Sequence, residues 1–179
     1  MDFVDAFQTL ENRNNITQVE REGPYLCNRK DAWLGIGYYL WDTNIQWAKD
    51  WGEKAYIIKR NKGYIIGECK VDLSHCFDLV GNVSHQNEFT EAINVFKQSK
   101  HSETIKNVTV PFIIEFMKRK HIFEYKLIRV QDSPKSKNKV YFKEGRSEFI
   151  FINNRVQICV LDKKEVIKSG FKVIFEKKV

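Results

Sequence analysis

The residues best suited to chemistry lie in two short stretches far apart in the chain. The first is Leu34-Gly35-Ile36-Gly37-Tyr38-Tyr39-Leu40-Trp41-Asp42. Its two glycines permit a tight backbone and the close approach of a ligand. The tyrosines that follow enter a short strand, where alternation puts Tyr38 and Tyr39 on opposite faces. One can then pack inward while the other faces a cleft. The second stretch is Arg146-Ser147-Glu148-Phe149-Ile150-Phe151-Ile152, followed by Arg155-Val156-Gln157-Ile158. Glu148 comes after Gly145 at a loop-to-strand boundary, where a carboxylate can point into a cleft. Each stretch taken alone also reads as ordinary structure: a hairpin turn with core tyrosines, and a solvated acid at a strand edge.

Other chemistries find less support. There is no G-x-x-x-x-G-K-[ST] phosphate loop and no G-x-S-x-G elbow. Cys27, Cys69, Cys76 and Cys159 are scattered, whereas structural zinc wants close pairs. They read as free, mostly buried thiols in a reducing compartment, so the expectation is a cytoplasmic protein without a metal. His75 and Cys76 read as turn and core residues, and no local signature marks a Cys/His hydrolase. No apolar run is long enough to span a membrane, and the acidic start of the chain does not look like a signal peptide.

With 179 residues, 42% hydrophobic and 30% charged, the chain can bury a substantial core, which argues against disorder as its dominant state. A single domain over residues 1–179 is expected. The net charge of +7 is uneven, with −2 on residues 1–100 and +9 on residues 101–179. A basic half suits a polyanionic partner, although a lysine-rich solvated surface reads the same way.

The elements that must hold these residues follow from periodicity. Ile45, Trp47, Ala48 and Trp51 share one helical face over 44–51, with Asp42 or Thr43 as a cap and Gly52 as a stop. A strand is expected over 64–73 and a helix over 88–99. Pro111 suits the first turn of a helix running to about Lys120. Residues 122–130, 139–143, 148–152, 155–161 and 171–175 read as strands, 131–139 as a solvated loop and 162–169 as a short helix. Trp33, Trp41, Trp47 and Trp51 read as core packing around the tyrosine strand and its helix. Strands and helices do not alternate regularly, so the expected class is α+β with a largely antiparallel sheet.

The two stretches together resemble the ADP-ribosyltransferases, including their poly-ADP-ribose polymerase branch and small bacterial toxin-like members. Gly35, Gly37, Tyr39 and Ala48 match the G-x-G-x-Y motif and the helix after it. Glu148 matches the glutamate that opens the E-Y/F-I/V strand, with Gln157-Ile158 as its Q-I/V continuation. Residues 67–74 and 77–79 are similar to the segment joining these motifs. The likeness runs over roughly residues 7–175. It implies a split, largely antiparallel sheet with flanking helices, and NAD as the substrate.

The resemblance further implies that Tyr39 stacks on nicotinamide and that Glu148 is the catalytic carboxylate. Tyr38 and Gly37 would border the NAD site. The first family motif carries a histidine or arginine, and here its counterpart is Ala6-Phe7-Gln8-Thr9. Gln8 and Thr9 therefore stand as the NAD contacts. Arginine-modifying members carry Gln or Glu two residues before the catalytic glutamate. Arg146 takes that place here and could hold a phosphate, which favours a nucleic-acid acceptor or another protein side chain. A toxin or effector with a neutralising partner is implied by the resemblance. The alternatives are NAD hydrolysis with water as acceptor, and an inactive binding module with a basic surface.

Overall fold

A seven-stranded sheet organises the chain. The computed structural model describes residues 3–99, 108–132, 139–142, 145 and 147–179. The elements run β1 (Phe3–Glu11), α1 (Ile16–Glu22), β2 (Tyr38–Asp42), α2 (Ile45–Gly52), a π-helical turn (Glu53–Ile58), β3 (Tyr64–Asp72), β4 (Cys76–Asp78) and α3 (Val83–Gln98). They continue with α4 (Val110–Arg119), β5 (Leu127–Gln131), β6 (Lys139–Tyr141), β7 (Phe149–Phe151), β8 (Val156–Val160), α5 (Lys163–Val166) and β9 (Lys172–Lys177). The sheet order is β4-β5-β8-β2-β1-β3-β9, while β6 and β7 form a separate hairpin. Neighbours in the large sheet are antiparallel except β4 and β5. The expected mixed α+β class with a largely antiparallel sheet is therefore observed.

Alternation divides the core between the two faces of the sheet. On one face Ala6, Leu40, Ile65, Cys69, Ile158 and Val160 pack under Val19 of α1, Val166 of α5 and Phe171. On the other, two clusters sit side by side. Phe77, Ile128 and Cys159 pack under Phe96 of α3 and Ile113, Ile114 and Met117 of α4. Phe7, Trp41, Tyr64 and Ile66 pack under Trp47 and Ala48 of α2.

Several boundaries differ from expectation for local reasons. Asn44, not Asp42 or Thr43, caps α2, its side chain accepting from the backbone N–H of Gln46. Gly52 does not stop that helix. It lies against the Tyr64 ring, where a Cβ would collide, and the chain winds on through the π-helical turn. Helix α3 begins five residues early, at Val83, because the Asn82 side chain caps it through the N–H of His85. Of the expected 122–130 strand only the part from Leu127 onward is paired, within β5 (Leu127–Gln131). Phe123 and Tyr125 instead pack their rings against Phe77, at 5.4 and 4.7 Å between centroids. The expected 162–169 helix is a single turn. Most of the expected 131–139 loop lies outside the described residues. Among the described residues no helix is long and apolar enough to cross a membrane.

Candidate functional site

The site arises where two strands part. β2 pairs with β8 from Tyr38↔Val160 to Trp41↔Gln157, but with β1 only at Ala6↔Asp42 and Phe7↔Trp41. β1 stays paired with β3 along its whole length, from Phe3↔Asp72 to Glu11↔Tyr64. Beyond Phe7 the backbones of β1 and β2 therefore diverge, and Gln8 spans the gap with its side chain. Its Nε2 donates to the carbonyls of Tyr25 (2.9 Å) and Tyr39 (3.3 Å), and its Oε1 accepts from the Tyr25 N–H at 2.7 Å. The segment after Tyr25 then bridges to the start of β2, Cys27 and Gly37 exchanging backbone hydrogen bonds of 2.9 and 3.1 Å.

The opening is a cavity of about 480 Å³, within the roughly 300–1,000 Å³ typical of small-molecule sites. Gln8 and Thr9 of β1, Tyr39 and Trp41 of β2 and Gln157 near the start of β8 line it. Trp33, Trp51 and Tyr56 add aromatic surface, and Trp33 is held by its indole N–H donating to Oε1 of Gln157 at 2.8 Å. Its charged lining is Arg29, Arg60 and Arg155 against a single carboxylate, Asp132. Aromatic faces bind flat rings, and guanidiniums bind anions. The arrangement suits a ligand that carries both.

The residues singled out from sequence divide three ways. Tyr39, Gln8 and Thr9 meet at the cavity. Tyr39 is fixed through its phenol, which accepts from the Leu34 N–H at 2.9 Å and donates to the Gly35 carbonyl at 2.8 Å. Burial raises its pKa above the ordinary phenol value, with Cys159 adding to the effect, so it stays protonated. Gln8 is occupied in holding the parted strands. Thr9 donates to the Ala48 carbonyl at 2.7 Å and so docks α2 on the sheet. Tyr38 and Gly37 lie elsewhere. Tyr38 points to the opposite face, against the core and beneath Lys163 Nζ, 5.6 Å from the ring centre. Gly37 is a glycine because a Cβ would collide with Sγ of Cys159.

Glu148 is exposed just before β7 and is not among the residues lining the cavity. Its strand belongs to the β6–β7 hairpin, paired Lys139↔Phe151 to Tyr141↔Phe149. Arg146 lies outside the described residues.

The tryptophans correct an expectation. Trp47 is core, as expected, but Trp33 and Trp51 are 37% and 40% exposed, and both line the cavity with the buried Trp41. Period-2 alternation already put Trp41 on the same side as Tyr39. Trp33 and Arg29 come from the loop before β2, which carries no periodic signal, and Tyr56 and Arg60 from the helical stretch that continues past the expected stop at Gly52. Among the described residues no group of three or more His, Cys, Asp or Glu could hold a metal ion. Comparison of the chain with protein-family models, with curated proteins and with solved structures returns no match.

Proposed function

We propose that this cavity binds NAD and that the chain is an NAD-dependent ADP-ribosyltransferase of α+β, split-sheet type. The observation that carries the reading is that Tyr39, matched to the nicotinamide-stacking position, lies in an aromatic and arginine-lined cavity at the point where β1 and β2 part. Nicotinamide would stack on Tyr39 and Trp41, while the sugar-phosphate part would run toward the arginines. Breaking the nicotinamide–ribose bond leaves positive charge on the ribose, as in glycoside hydrolysis. The resemblance gives Glu148, which stands outside the cavity lining, the role of stabilising that charge and accepting a hydrogen bond from the ribose 2′-hydroxyl. The acceptor would be a macromolecule, with nucleic acid favoured by the +9 charge of residues 101–179.

The reading makes two separable claims. Tyr39→Ala should weaken NAD binding at least tenfold by calorimetric titration, and unchanged affinity would remove the stacking role. Glu148→Gln should bind NAD like the parent but release no nicotinamide, and persistent turnover would remove the catalytic assignment.

One observation favours a second reading, a binding module without transfer. Asp132 is the one acid among the residues lining the cavity, and it is already ion-paired with Arg155 at 2.6 Å. NAD affinity without nicotinamide release from the parent protein would support this module.

A further inference from the structure

β1 brings no cation to the cavity: it offers Gln8 and Thr9 there, both with their side chains committed. A cation reaches the cavity from another direction. Arg155 immediately precedes β8, and its guanidinium lies 5.2 Å from the ring of Trp41 and 5.3 Å from that of Trp47. Trp47 is itself fixed, its indole N–H donating to the Asn154 carbonyl at 3.2 Å. Asp132 pins the far side, with Nη2–Oδ2 at 2.6 Å, and its N–H donates to the Arg155 carbonyl at 2.7 Å. The Arg155 side chain keeps only 16% of its surface exposed, and its Nε is buried with no hydrogen-bond partner.

Burying a guanidinium with an unmet N–H costs free energy that a solvated arginine avoids. Two indole faces recover part of that cost, and they also fix where the exposed edge of the group points. Arg155 belongs to the cavity lining. The nearest acid compensates one charge only. Arg29 and Arg60 stand in the same lining with looser acids, Asp31 at 3.5 Å and Glu11 at 3.9 Å. The cavity is therefore cationic, and its most rigid cation is Arg155.

We propose that Arg155 is the anion anchor of this cavity and takes a phosphate of a nucleotide ligand, supplying from the residue before β8 the cation that β1 lacks. Arg60 and Arg29 of the same lining assist. The ligand class is a phosphorylated ribonucleoside, with the aromatic walls taking its base. The proposal rests on reading the cavity as the NAD site but not on the transfer step. A guanidinium already held by packing has little ordering left to be done on binding a phosphate.

The test is titration of ADP-ribose and of adenosine, followed by tryptophan fluorescence, because Trp33, Trp41 and Trp51 line the cavity. Arg155→Met should weaken ADP-ribose at least tenfold and leave adenosine within twofold. Asp132→Asn breaks the same ion pair but removes a negative charge beside the phosphate, so it should tighten ADP-ribose. A merely structural ion pair predicts the opposite for Asp132→Asn, a loss matching that of Arg155→Met, and that result would overturn the proposal. Equal ADP-ribose affinity in Arg155→Met and the parent would overturn it too, as would a parent protein that binds no ADP-ribose. If Arg155→Met does not fold, Arg155→Lys carries the test, keeping the charge and losing the fork. A several-fold weaker ADP-ribose affinity is then expected, and an unchanged one would count against the anchor. A parent that binds ADP-ribose through Arg155 yet releases no nicotinamide from NAD would end the transfer reading and leave the anchor standing.

Discussion

Tyr39 shows how one side chain can serve both the fold and the site. Tyr39 belongs to the cavity lining and packs against the α3–α4 cluster, while its hydroxyl ties down Leu34 and Gly35. Gly35 has φ of +90°, a conformation that a side chain would strain, so the loop depends on this tie. Tyr39→Phe removes both hydrogen bonds and should cost about 1–3 kcal/mol of stability. Denaturant unfolding would measure it, and NAD affinity should fall less than in Tyr39→Ala because the stacking ring stays. The cysteines make a second residue-level prediction. Cys69, Cys76 and Cys159 are buried, and burial pushes each thiol up to about 12. Only thiolates react readily, so these three should resist a thiol reagent in the native protein. Cys27 is partly exposed and lines the cavity. It should label first, and ADP-ribose should slow that labelling. Rapid modification of more than one thiol per native chain would contradict this assignment.

At the scale of elements, the site depends on helices packed around its edges. Phe77 of β4 is fully buried and contacts the rings of His85, Phe89, Phe123 and Tyr125. Its removal would empty the cluster beneath α3, and the Tyr39 ring borders the same cluster. Phe77→Ala should cost about 3–5 kcal/mol, and thermal unfolding is the direct check. The sequence made parts of this arrangement legible. The spacing of Ile45, Trp47, Ala48 and Trp51 predicted α2, and the pattern at 64–73 predicted β3. It could not show that Phe123 and Tyr125 leave the strand, because their aromatic and β-rich surroundings suit a ladder and an aromatic cluster equally well. Nor did it show that α3 starts at Val83, since the Asn82 cap precedes a turn with little apolar character.

Over the whole molecule, titration sets the range in which the fold is stable. Glu53 lies between Lys177 and the Tyr64 hydroxyl, and Glu11 beside Lys62. Both carboxyls are held below their ordinary value, chiefly by those lysines. Their contribution is present above the unfolded carboxylate value and is lost as pH falls through the lowered, folded one. The buried thiols act on the other side. An unfolded thiol ionises near 9, while Cys69, Cys76 and Cys159 hold their protons to about 12. Stability should therefore fall as pH rises through that window. Denaturant midpoints across pH should trace a dome, declining below about pH 4.5 and above about pH 9. A midpoint that keeps rising past pH 10 would contradict the thiol assignment.

The sequence alone determined the class of sheet, the α2 and β3 elements, and the placing of Tyr38 and Tyr39 on opposite faces, because these depend on local period and on alternation along one strand. It also brought Tyr39, Gln8 and Thr9 forward as one group, and these do share a cavity. Only the tertiary structure decided what completes that cavity. Arg155 is 116 positions from Tyr39, and Trp33 reaches Gln157 across 124. The structure also decided that Gln8 spends its amide on the gap between β1 and β2. How far two strands stay paired, and which distant cation turns into the space where they part, depends on the packing of the whole sheet, and no local pattern of residues encodes it.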